Sequence, residues 1–214
     1  MHRFTPTRLV PLALAALLGA ACAGPVPTVT VLRTPNGGML PEAVLDDAGT
    51  LHLIYYIGSM SSGDLFHVSR EADAADWSSP QRVNSEPHSV QGLGPVDAGQ
   101  LAIGPDGLLH VAWFRKDPAR FHYTRSDHTG RFEPQQTLSV KDEGGVEAGP
   151  TVTVDDDGSV FVFWHADAVE DAHRRVYMAV SHENGALFDL PRAVSPAAEG
   201  ACGCCGLRAV TDEA

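Results

Sequence analysis

The chain has 214 residues, a formal net charge of −12 and a pI near 5.1. That acidity excludes nucleic acid as a partner, since phosphates need a basic face, and it excludes docking on anionic lipid through surface charge. Apolar residues make up 43% of the total, enough for a packed core in one or two domains.

The N-terminus reads as a leader rather than as part of a fold. His2, Arg3 and Arg8 form a basic region, Leu9 to Ala21 is apolar, and small residues follow. The apolar run is too short to span a bilayer as a stable helix. Residues 1–22 are therefore expected to be a signal peptide. Cys22 stands where a lipoprotein signal places its lipidated cysteine, which leaves two outcomes, lipidation at Cys22 or cleavage near Ala23. The expected location is periplasmic, on the cell surface as a lipoprotein, or secreted, with a lipid anchor as the only membrane attachment. Residues 23–39 read as a linker or edge segment, and residues 40–214 as the folded domain.

From residue 40 the same paragraph is written three times. Each copy opens with a short apolar strand running into an acidic or glycine turn: Ala43 to Gly49, Leu101 to Gly107, and Val152 to Gly158. A β-branched and aromatic strand follows (LHLIYY, LHVAWF, VFVFWH), so that His52, His110 and Phe161 are equivalent, as are Tyr55, Trp113 and Trp164. A third strand (LFHVSR, RFHYTRS, RVYMAVS), a polar turn and a fourth strand (PQRVNS, EPQQTLSV, LPRAVS) complete the copy. The turn glycines recur roughly every 50 to 60 residues, the period of a β-propeller blade. One four-stranded sheet cannot bury both faces alone, whereas radial stacking buries them against neighbours. Residues 207–214 parallel 41–48, which reads as the first strand of a fourth blade. The expected fold is all-β: three four-stranded propeller blades plus that strand, as a fragment of a longer ring.

The turn after each third strand is similar to the Asp-box, S-x-D-x-G-x-x-W. Ser181 to Phe188 matches best, with Glu183 for the Asp and Phe188 for the Trp; Ser126 to Phe132 is one residue shorter, and Ser69 to Trp77 lacks the glycine. On these three turns the chain resembles the sialidase-like, Asp-box (BNR-repeat) β-propellers. The resemblance implies a six-bladed ring and a structural role for the motif, whose polar side chains pin a turn above the aromatic. It also implies where chemistry would sit: a Tyr nucleophile with an assisting Glu, an Asp acid/base, and three arginines on the substrate carboxylate. The first arginine belongs to a Tyr-Arg-Ile-Pro motif, and the aligned segment here is Gly38-Met39-Leu40-Pro41, with Met39 in the arginine position.

Propeller sites lie at one mouth of the central channel, where the inner strands begin. Glu42, Gln100, Thr151 and Arg208 are equivalent positions there, and Asp97 and Glu147 lie a few residues earlier in comparable loops. These residues are the binding-rim candidates, against the alternative of ordinary solvated loops. His52 with His110, and His67 with His122, recur at matched positions that different blades hold apart, so they are expected to build the repeat rather than to bind a ligand. Cys202, Cys204 and Cys205 crowd three thiols into four positions at the same mouth. Disulfides are the default after export, yet such close neighbours bridge poorly, which leaves a Cu or Zn site, a distant cysteine partner or a redox pair. Three functions follow: a non-catalytic propeller binding a glycan or protein ligand, a sialidase-type glycoside hydrolase with a divergent site, or a metal- or redox-linked protein.

Overall fold

The three repeats fold as three four-stranded antiparallel sheets. The computed structural model describes residues 29–92, 98–139, 148–166 and 170–212. The expected signal peptide with Cys22, and the loop residues Asp97 and Glu147, lie outside the described residues. Blade 1 comprises β1 (Met39–Leu45), β2 (Leu51–Gly58), β3 (Gly63–Arg70) and β4 (Gln81–Arg82). Blade 2 comprises β5 (Gly99–Ile103), β6 (Leu109–Lys116), β7 (Ala119–Arg125) and β8 (Gln136–Thr137). Blade 3 comprises β9 (Thr151–Val154), β10 (Val160–Ala166), β11 (Arg175–Ser181) and β12 (Arg192–Ala193). Each sheet is a simple meander in chain order. The only helical turn among the described residues is a 3₁₀ turn, Pro35–Gly37, and no helix there is long and apolar enough to cross a membrane.

The turn closing each first hairpin explains its residues. Asp46 Oδ1 accepts the Thr50 amide at 2.6 Å and Asp155 Oδ1 accepts the Ser159 amide at 2.7 Å. Gly49, Gly107 and Gly158 close these turns at φ +82°, +78° and +81°, a region open to glycine and costly to most other residues.

Alternation along the second strands sorts the core into layers. Ile54 and Tyr56 point from β2 towards blade 2 and meet Leu101, Leu109, Val111 and Trp113. Ala112 and Phe114 point from the other face of β6 and meet Val160, Val162 and Trp164 of blade 3. Successive side chains on a strand face opposite ways, so each blade contributes one residue set to each neighbour. Phe121 stacks on Trp164 at 5.4 Å between ring centroids, and the Trp113 indole N–H donates to the Ser89 carbonyl at 3.0 Å.

The ladder corrects one alignment in the third strands. His52, His110 and Phe161 pair with Ser69, Arg125 and Val180, which makes these three equivalent. His67 is then equivalent to Tyr123 and Met178, while His122 is equivalent to Phe66 and Tyr177. Matching His67 with His122 is a one-residue slip, and a slip of one moves a side chain to the opposite face of the sheet. By the same register Arg70, not Ser69, occupies the position of Ser126 and Ser181. Leu207 to Asp212 follows the course of an inner strand beside β9: the Ala209 amide donates to Thr151 Oγ1 at 3.2 Å and Thr211 Oγ1 donates to the Val154 carbonyl at 2.9 Å. It has no assigned ladder partner.

Candidate functional site

The inner strands β1, β5 and β9 place Glu42, Gln100 and Thr151 in register, each seven residues before its turn glycine. Gln100 and Thr151 are buried and Glu42 is half-buried. Arg208, on the segment beside β9, reaches back to the two more distant inner strands, β5 and β1. Its guanidinium donates to Gln100 Oε1 and lies 3.6 Å from Glu42 Oε2. Arg208 thus meets Glu42 and Gln100, while Thr151 accepts the adjacent Ala209 amide, and the four equivalent positions lie on neighbouring inner segments. They present a carboxylate, an amide, a hydroxyl and a guanidinium, which between them donate and accept hydrogen bonds.

The cysteine loop leads into the Arg208 segment and lies against Ala148, just before β9. Cys202 Sγ and Cys204 Sγ are 3.1 Å apart, and the sulfurs of Cys202, Cys204 and Cys205 all lie within 4.8 Å of one another. Hydrogen bonds from the Cys205 and then the Cys204 thiol hold Cys202 below the usual thiol value, and the hydrogen bond to Cys202, followed by the electrostatic influence of Cys202, pushes Cys205 up to about 11. The loop is anchored from both sides. The Ala201 amide donates to the Asp171 carbonyl at 2.8 Å, the Gly203 amide to Asp171 Oδ1 at 3.2 Å, and the Ala148 amide to the Gly203 carbonyl at 3.0 Å. Fully buried Arg174 binds both the Asp171 carboxylate and the Ala201 carbonyl. The Gly203 amide, then Arg174, hold the Asp171 carboxyl below its ordinary value. The Asp171–Arg174 anchor was not legible in the sequence, because it occurs once and has no counterpart in the other copies.

The histidines fill repeat positions between blades. His52 Nδ1 meets His67 Nε2 at 3.1 Å, and the equivalent His110 Nδ1 meets the Tyr123 hydroxyl at 2.6 Å; blade 3 replaces the pair with Phe161 and Met178. The aromatic of the next blade's turn then packs on the outer member: Phe132 on His67, with ring centroids at 5.7 Å, and Phe188 on Tyr123 at 4.8 Å. Because His67 is shorter than Tyr123, a polar cleft of about 350 Å³ remains between blades 1 and 2, lined by His52, His67, Ser69, Asp127 and Gly130 among others. Burial, followed by the neighbouring His52, lowers His67 to about 4. Burial likewise lowers His110 and His122 to about 4. These neutral, enclosed rings are built into the stack. Met39, which the sequence resemblance aligns with an arginine, is exposed on the bulged start of β1.

No protein-family model matches the chain, and no curated protein matches it. Solved structures do. A mutant of NanB sialidase from Streptococcus pneumoniae is 11% identical, with 73% of this chain aligned to 23% of that one at a TM-score of 0.49. The polysaccharide lyase Uly1 is 15% identical over 81% of this chain and 43% of its own, also at 0.49. An endo-arabinase from Bacteroides thetaiotaomicron is 11% identical over 73% of this chain and 61% of its own, at 0.44. The chain therefore spans about a quarter of the length of the sialidase it is similar to.

Proposed function

We propose that this chain is an exported, sialidase-like propeller scaffold that binds a glycan at the inner-strand mouth without cleaving it. The observation that carries the reading is the meeting of Arg208 with Glu42 and Gln100, residues contributed by three different segments, beside Thr151, whose hydroxyl accepts the Ala209 amide. A sugar presents hydroxyls that both donate and accept, and a rigid rim of mixed donors and acceptors suits it. Strands supply the rigidity and adjoining loops supply the variety. Met39 supports the non-catalytic half of the proposal, because a thioether cannot hold a carboxylate as a guanidinium does.

The test is a glycan array probed with the full chain, followed by titration of the retained sugars against Gln100→Ala and Arg208→Ala. Binding is expected to weaken at least tenfold in either variant, with the fold retained by circular dichroism. An array that retains nothing, or affinities unchanged in both variants, would overturn the proposal. A fluorogenic sialoside is expected to show no turnover; measurable release would favour a hydrolase with a divergent site instead. Export is tested separately by cell fractionation, and lipidation at Cys22 by the mass of the mature N-terminus.

A further inference from the structure

From the cysteine loop we infer a second site, independent of the glycan reading: Cys202, Cys204 and Cys205 form a three-thiolate site for a soft metal ion, Cu(I) above all. Three sulfurs around one ion at a metal–sulfur distance of about 2.3 Å stand about 3.8–4.0 Å apart. Here all three already lie within 4.8 Å of one another, so closing on an ion needs only small side-chain rotations. Two of the cysteines are exposed and the third is half-buried, which leaves a path for the ion.

The convergence is imposed by the fold. The residues before and between the cysteines are tied to Asp171 and to Ala148, and Arg174 locks Asp171 from inside. Gly200, at φ +66°, lies against this anchor: a Cβ there would stand 2.5 Å from the Asp171 carbonyl oxygen. A loop held at these points spends little conformational entropy on gathering its ligands.

The ligand set selects the ion. Thiolates favour Cu(I) and Zn(II) over hard cations such as Mg(II) or Ca(II). No described His, Asp or Glu joins the three sulfurs as a group, and a set of three sulfurs suits a trigonal Cu(I), whereas Zn(II) takes four ligands. A disulfide within the loop would leave one thiol over, and neighbours this close bridge poorly without strain.

The experiment uses the full chain, reduced and desalted under anaerobic conditions, and titrated with Cu(I) held by a colorimetric chelator of known affinity, with Zn(II) in parallel. The expected result is one equivalent of Cu(I) taken from the chelator, with a thiolate-to-copper band in the near ultraviolet. Zn(II) should bind at least tenfold more weakly under matched competition. The triple variant Cys202→Ser, Cys204→Ser, Cys205→Ser should lose this binding while keeping the metal-free melting temperature, and each single Ser variant should bind at least tenfold more weakly. Failure to take Cu(I) from the chelator, equal uptake by the triple variant, or a freshly reduced protein that still titrates as one free loop thiol would each overturn the assignment.

Discussion

At the residue scale, the contrast between His67 and Tyr123 shows how one side chain sets an interface. Both occupy the same third-strand position and both carry the aromatic of the next blade. Tyr123 fills its gap and His67 does not. Tyr123→His is expected to lower stability by about 2–3 kcal/mol, as large-to-small core changes do. His67→Tyr should change it by less than about 1 kcal/mol, because its hydroxyl would enter the existing cleft. Chemical denaturation of the two variants checks the asymmetry. The buried histidines also set a pH response. Folded His67, His110 and His122 stay neutral down to about pH 4, while unfolded rings take a proton near 6.5. The unfolded state binds more protons between those values, so stability should be complete above pH 6.5 and fall as pH drops towards 4, by roughly 1–3 kcal/mol per ring. Melting temperature measured from pH 7.5 to 4.5 should decline accordingly. His122→Phe, which installs the residue blade 1 carries at that position, should flatten the slope.

At the scale of the element, the turns between third and fourth strands do two jobs. They close their own hairpin and seat an aromatic on the preceding blade. In blade 3 the Ser181 hydroxyl accepts the Gly185 amide at 2.9 Å; in blade 2 Asp127 Oδ1 accepts the Thr129 and Arg131 amides at 2.7 and 3.0 Å. Gly130 and Gly185 share φ +79°, yet a Cβ at Gly130 meets nothing within 4 Å while one at Gly185 would run into the Tyr123 hydroxyl. Gly130→Ala should therefore cost only the left-handed backbone penalty, about 1 kcal/mol. Gly185→Ala should cost more than twice that, and the difference in unfolding free energy between the two variants is the measurement. The strands and the tight turns were legible in the sequence, because β-branched runs and turn residues act locally. The two-residue length of β4, β8 and β12 was not, since each outer strand is cut short by how far its partner's ladder continues.

At the scale of the whole molecule, blade 3 presents outward the face that blades 1 and 2 bury. Phe161, Met178 and Val180, at the positions of the His110–Tyr123 pair and Arg125, line a groove of about 290 Å³ with exposed Leu190 at its edge. Nothing among the described residues covers it. His182, Asp189 and Arg192 also line the groove, so its apolar floor is rimmed by polar groups, as in surfaces that bind hydrophobic dye or another chain. The protein is expected to enhance anilinonaphthalene sulfonate fluorescence and to self-associate at micromolar concentration. Dye titration and sedimentation velocity check this, and a dye-silent monomer with a sharp cooperative melt would contradict it.

The sequence by itself determined the repeat, the strand class, the turn glycines Gly49, Gly107 and Gly158, and the equivalence of Glu42, Gln100, Thr151 and Arg208. Each of these is written in local composition or in a period along the chain. Only the tertiary structure decided that His67 matches Tyr123 rather than His122, since a strand's face depends on the ladder it joins and shifts with a single residue. Only radial stacking brought Arg208 across to Gln100 and Glu42, and only the blade 3 loop gave the three cysteines their anchor in Asp171 and Arg174. Those contacts join residues far apart in the chain, or run through an ion pair between a buried arginine and an exposed aspartate that no repeat announces, so no periodicity could reveal them.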